Sequence, residues 1–332
     1  MKKKIAVIYG GNSSEHEISV ASGRYTASAI DKDKYEVYEV LLKGLDWNVV
    51  CWDEGDRMTV LGQVDKGDFS FPPQGGDKIN FDAAFPVIHG TPGENGLLQG
   101  YLEMIGIPCT SCSAFASTVA FSKYSCKAFL RDSGVRMARE KFIRKGDDFS
   151  SEKIVEELGL PLFIKPADGG SSVGVTKVKS VEMIPAAMED AFKEGDMVIV
   201  EEFIDGRELT QGVYGHKGAV KTLPITEIVT ENEYFDYEAK YLGKSDEICP
   251  APISDGLAIE IGKVSRAVFS WMGCKGLIRI DYIVNDRGIH FLEINTAPGM
   301  TRMSLVPKMV RVAGLEIKDF LTELMENAFT NC

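Results

Sequence analysis

Hydrophobic residues recur along this chain with two periods, and the shorter one is clearest near residue 280. There Ile278, Ile280, Tyr282, Val284, Leu292 and Ile294 are spaced by Arg279, Asp281, Glu293 and Asn295. A period of two predicts strands, so 276–284 and 289–295 read as a hairpin closed by Asp286-Arg287-Gly288, with Gly288 in the left-handed position. A loop of that length sets Asp281 opposite Glu293 and Arg279 opposite Asn295. The four polar side chains then share one face and the apolar ones pack as core. Earlier, apolar runs at 4–9, 35–42 and 83–88 alternate with a helical pattern over 19–30, which predicts parallel strands with helical crossovers. Helices are expected at 97–104 and 122–133, and strands at 162–165, 175–178 and 197–201. Leu257, Ile261, Val264, Val268 and Trp271 form one helical stripe, and Ile317, Phe320, Leu321, Leu324, Met325 and Ala328 another. Both read as core faces. Residues 231–252 have little periodicity and several aromatics, which suits a lid more than a strand.

Composition narrows the class. With 332 residues, 44% hydrophobic and 26% charged, the chain can build two or three sizeable cores. A net charge of -12 argues against nucleic acid or an anionic membrane as partner. The opening Met1-Lys2-Lys3-Lys4 precedes an apolar run too short for a signal peptide, so it reads as a first buried strand, and no stretch has membrane-spanning length. Seven scattered cysteines, with one isolated CxxC at Cys109 and Cys112, point to free thiols in a reducing cytoplasm.

Candidate chemistry collects at loops. Gly10-Gly11 ends the first strand, where an open α/β sheet exposes its crevice, and the pattern is not a dinucleotide fingerprint. Glu15 in that loop either holds an amine or complements a helix dipole. His89 begins a loop with three glycines and a proline, and either faces a ligand or makes ordinary loop hydrogen bonds. Lys165 enters a glycine-serine loop (166–174) between two strands, built to bring backbone N–H groups around an anion, although no Walker pattern is present. Glu201, Phe203 and Glu208 offer carboxylates and a ring suited to a purine and its ribose; Phe203 is also a plausible core residue. Asp281 and Glu293 facing each other would repel without a cation, and Asp, Glu and Asn oxygens suit Mg²⁺. A solvated edge hairpin is the alternative.

Taken together, GGNSSEHEIS, HGTPGENGLLQGYLE, KPADGGSSVG, FDYEAKY, CKGLIRIDY and LEINTAPGMTRMSLVP resemble D-alanine–D-alanine ligases of the ATP-grasp superfamily, nearly end to end. The resemblance implies a mixed α/β and α+β, three-domain ATP-grasp fold. It would comprise an N-terminal parallel α/β substrate domain (1–115), a central subdomain (116–208), and a C-terminal subdomain (209–332) carrying the metal site and lid. It implies ATP-dependent joining of two D-alanines through an acyl phosphate, for peptidoglycan precursors. Lys123 and Lys165 would contact the ATP phosphates. Glu201, the backbone near Phe203, and Glu208 would hold adenine and ribose. Asp281, Glu293 and Asn295 would ligate two Mg²⁺ ions, with Mn²⁺ able to substitute. Glu15 would bind the first ammonium, linked to Ser171 and Tyr241, with His89 close by. Arg279 and the Gly299 backbone would form the oxyanion site, and Lys240 and Ser304 would hold the second carboxylate. A cytoplasmic homodimer is implied. At Phe203 the family often carries another aromatic, and Arg302-Met303 departs from its common wording. Alternatives are a D-alanyl-D-lactate or D-alanyl-D-serine ligase, which Tyr241 disfavours in the lactate case, and a non-catalytic ATP-binding regulator.

Overall fold

The first strand, Lys3–Gly10, is apolar at every position from Ile5 to Tyr9, and each of those five side chains is fully buried. Such a run needs cover on both faces of its sheet. In the computed structural model, which describes residues 1–168, 173–230 and 245–330, that cover comes from opposite ends of the chain. Ala6 and Ile8 pack with Leu98 and Leu102 of helix Leu97–Met104. Ile5, Val7 and Tyr9 pack with Met309 and Val310 of helix Leu305–Val312 and with Phe320 and Leu324 of helix Ile317–Thr330. The C-terminal helix therefore completes the N-terminal core.

Tyr35–Lys43 and Ala83–Pro86 flank the first strand in parallel, as expected. Two further strands, Asp46–Trp52 and Met58–Gln63, extend the sheet in antiparallel fashion. The sheet is thus mixed rather than wholly parallel. Short connections join successive strands here, and a short turn can only reverse the chain.

Four strands, Glu140–Arg144, Leu162–Pro166, Thr176–Val178 and Met197–Glu202, form a second, antiparallel sheet. A third sheet is centred on Arg207–His216 and Leu277–Asn285 and includes Gly288–Asn295 and Thr226–Thr230. Its edge is Ser245–Ile248, paired with Thr226–Thr230. These last residues were expected in the lid and are instead a strand, because they complete an otherwise open edge; 231–244 lie outside the described residues. Helices Ala114–Phe121 and Lys123–Leu130 pack through Ala116, Ala120, Cys126 and Leu130 on Ile278, Ile280 and Ile294 of the third sheet. Packing therefore crosses positions 115 and 208.

The hairpin keeps its expected register by a different route. Arg279 pairs with Asn295 and Asp281 with Glu293. The turn, however, has two residues, Asp286 and Arg287, because Asn285 pairs with Gly288, whose φ of 121° suits glycine. A bulge beside Asp281 absorbs the missing loop residue as Leu292. Leu292 was expected in the core and instead faces a cavity, while Phe291 packs inward.

Candidate active site

Two cavities meet where the three sheets approach one another. The first, about 730 Å³, lies between the second and third sheets. The second, about 510 Å³, lies between the first helix and the loop after the final strand. Glu15, Glu94, Lys123 and Glu293 line both. A group held in one can therefore reach a group held in the other.

The larger cavity carries most of the expected nucleotide residues. Lys165, on strand Leu162–Pro166, donates to Glu201 at 2.6 Å. Lys127 donates to the other oxygen of Glu201 and lies 3.4 Å from Glu140. Burial drives the Glu201 pKa up, but the two ammonium groups outweigh it and hold the carboxyl at about 2. Lys123 opens helix Lys123–Leu130, capped by the Ser122 hydroxyl, and its N–H donates to Ala167 O at 2.8 Å. The Phe203 ring lies 5.9 Å from that of Phe163, with Lys177 stacked 3.9 Å over it. Its N–H is taken by Pro161 O at 3.2 Å, so that donor is turned away from the cavity. Glu208 lines the same wall.

The Glu201 pairing predicts a stability effect. Because its folded pKa lies below that of a free carboxyl, its contribution is present above about pH 4.5 and lost as pH falls toward 2. We expect Glu201→Gln to leave two half-compensated ammoniums and to cost about 3–5 kcal/mol at pH 7. The deficit against the parent should narrow in urea denaturation between pH 4.5 and 3. A constant deficit across that range would show that charge is not its source.

The hairpin's polar face is divided between the cavities: Asp281 lines the larger, Arg279 and Asn295 the smaller, and Glu293 both. The Arg279 guanidinium grips Asp281 in a fork, Nε to Oδ1 at 2.9 Å and Nη2 to Oδ2 at 2.8 Å, and the Thr210 hydroxyl also donates to Asp281. Asn295 Oδ1 accepts the Ala297 N–H at 3.1 Å. Among the described residues no three His, Cys, Asp or Glu side chains cluster as a metal centre; the expected set is two carboxylates and an amide. A Cβ on Gly299 would lie 2.9 Å from Ser304 Oγ, so a side chain there would displace the Ser304 hydroxyl. Ser304 occupies the N-cap position of helix Leu305–Val312 without a side-chain capping bond, and its Oγ meets the Thr301 N–H and hydroxyl at 3.0 and 2.7 Å. Glu15 sits at the N-cap of helix His16–Ala29. Ser171, Lys240 and Tyr241 lie outside the described residues.

His89 borders the smaller cavity, yet both ring nitrogens face the protein. Nδ1 is 2.9 Å from Ala297 O, and Nε2 is 3.3 Å from Ser22 Oγ. Two residues with no expected role also face these cavities. Lys127 stands one helical turn beyond Lys123, a spacing that was legible. Glu94, inside HGTPGENG, is partly buried and accepts the Gly90 N–H at 2.6 Å. Burial, aided by the nearby Glu15 charge, pushes its carboxyl up to about 7 against the pull of that N–H and of Arg279.

Comparison with known proteins gives concordant results. The family model described as D-ala D-ala ligase N-terminus matches residues 4–112, and that described as D-ala D-ala ligase C-terminus matches 129–326. The chain is 48% identical to the D-alanine--D-alanine ligase of Parabacteroides distasonis, covering 100% of this chain and 99% of that one. It is 46% identical to the Phocaeicola vulgatus enzyme of the same name, over 99% and 100%. Among solved structures, the VanG D-Ala:D-Ser ligase of Enterococcus faecalis superposes with a TM-score of 0.87 at 30% identity, over 99% and 100%.

Proposed function

Because the chain belongs to the D-alanine–D-alanine ligase family, and so is an ATP-dependent ligase that joins two D-alanines for peptidoglycan precursors, we propose how its residues divide that work. The larger cavity takes ATP and the smaller takes the two amino acids. The observation that carries this assignment is the shared lining of Glu15, Lys123 and Glu293, which lets a γ-phosphoryl face a carboxylate held next door.

A carboxylate is a poor electrophile and must first become an acyl phosphate. That step is largely positioning and charge compensation, supplied by Lys123, Lys165 and Arg279. Glu201 orients Lys165 through their 2.6 Å bond, and Glu201, Phe203 and Glu208 border the purine and ribose. The oxygen set of Asp281, Glu293 and Asn295 fits Mg²⁺ in donor type. When bound there, the metal neutralises charge on the ATP phosphates. Glu15 holds the first ammonium, with Ser171 and Tyr241 completing its network. Arg279 and the Gly299 N–H receive the developing oxyanion, and Ser304 with Lys240 holds the second carboxylate. The second amine must attack as free base, and its tetrahedral adduct expels phosphate.

The fold divides into the three domains given above. A homodimer in the cytoplasm is what the family resemblance implies, and no described helix is long and apolar enough to cross a membrane. Full-length identity of 46–48% to relatives named D-alanine--D-alanine ligase supports D-alanine as the second substrate. ADP release measured with D-alanine, D-serine and D-lactate tests this; turnover independent of D-alanine would refute it. Glu15→Gln should raise the D-alanine KM about tenfold or more, since it loses a charge-assisted bond, and leave the ATP KM within about twofold. A shift in the ATP KM instead would move Glu15 to the other cavity.

A further inference from the structure

We infer that Ser22, a buried residue inside helix His16–Ala29, is a positioning residue for the Gly299 backbone, acting through His89 and Met300. The inference rests on the oxyanion role proposed for Gly299. Ser22 itself lines neither cavity; its hydroxyl lies 3.3 Å from His89 Nε2 and 3.4 Å from the Met300 nitrogen.

The direction of every bond in this chain is fixed by chemistry. Ala297 O can only accept, so His89 Nδ1, 2.9 Å away, must carry the proton and donate. The neutral ring then has a lone pair on Nε2, matched by the Ser22 hydroxyl proton. Met300 N–H can only donate, and Ser22 Oγ accepts it. Burial lowers the His89 pKa, which agrees with the neutral ring this ordering requires. The result is a relay from Met300 N–H through Ser22 and His89 to Ala297 O. Both of its ends lie in one short loop, and Gly299 lies between them.

The same loop shows why this bracket matters. Ala297 N–H is taken by Asn295 Oδ1 at 3.1 Å, Pro298 has no N–H, and Met300 N–H goes to Ser22. Gly299 N–H is therefore the donor in 297–300 with no partner among the described residues, and the groups on either side of it are anchored. A hole of this kind works only if its donor is aimed beforehand. The anchor comes from the N-terminal part of the chain: Ser13 Oγ donates to His89 O at 2.7 Å, so the loop carrying Glu15 is joined to the same relay. Ser22 thus ties the first-substrate loop to the oxyanion loop.

Ser22→Ala should lower kcat about tenfold while leaving the ATP KM within about twofold, as expected when transition-state aim is lost and nucleotide binding is kept. Added to His89→Gln, it should cost less than about twofold more, because both break one relay. Should the alanine variant fail to fold, Ser22→Cys, of similar size with a weak donor, carries the same test. A kcat within twofold of the parent, or losses that multiply in the double variant, would overturn the inference. Arg279→Met, assayed alongside, separates the two levels. If it retains activity, the oxyanion reading fails; if it is inactive while Ser22→Ala is unimpaired, the relay alone fails.

Discussion

Glu293→Gln and Asp281→Asn are each expected to lower turnover by roughly 10³-fold at any Mg²⁺ concentration. The two carboxylates face each other across adjacent strands, and among the described residues only Asp281 has its charge compensated by an ion pair. Asp281 is held by both arms of Arg279 and by Thr210. Glu293 makes no ion pair among the described residues. Glu293→Gln should therefore lose activity with little loss of stability. Asp281→Asn should lose activity and also up to about 3 kcal/mol, since a nearly buried guanidinium is left without its anion. That contrast separates a metal-binding role from a structural one. Thermal unfolding and ADP release on both variants supply the readings. Near-normal turnover at saturating Mg²⁺ in either would remove the metal site from the account.

How much of this was legible depended on whether a residue's role is local. The hairpin register could be read because a two-residue period, once one face is buried, admits no slip by one. The turn was misjudged by one residue and the bulge restored it, so the functional pairs survived and only Leu292 changed sides. Strand Met58–Gln63 left no pattern because it is an edge with nearly every side chain exposed; without burial nothing selects alternation. The docking of helices 114–121 and 123–130 on the third sheet is likewise a tertiary outcome, since their apolar faces would suit any partner. His89 was identified as near the site. Its action through Ala297 and Ser22 depends on groups about 208 and 67 positions away, which no local spacing encodes. Glu94 stood inside a quoted motif, but its electrostatic setting depends on Arg279 and Ala297, which lie about 185 to 203 positions away.

Arg279→Met should also reduce kcat about 10³-fold, with Arg279→Lys falling between it and the parent. Arg279 is a cation shared by acids of both cavities. It pairs with Asp281, and its charge draws down the pKa of Glu94 and, after Lys308, that of Glu247. Methionine keeps much of the aliphatic bulk and removes the charge that would stabilise an acyl phosphate and then an oxyanion. Lysine restores the charge as a single point and cannot reproduce the two-armed grip on Asp281. Partial rescue is therefore the expected signature of an electrostatic role, and no rescue that of a purely geometric one. A second reading comes from Glu94. Its carboxyl already titrates at about 7 because burial outweighs its N–H partner and Arg279. Without Arg279 it should titrate higher, so a larger share is protonated at neutral pH. Carboxyl signals followed by isotope-edited infrared spectroscopy across pH 5 to 9 would show the shift. A methionine variant within tenfold of the parent, or a Glu94 titration that moves downward, would mean that Arg279 is not the charge that organises these acids.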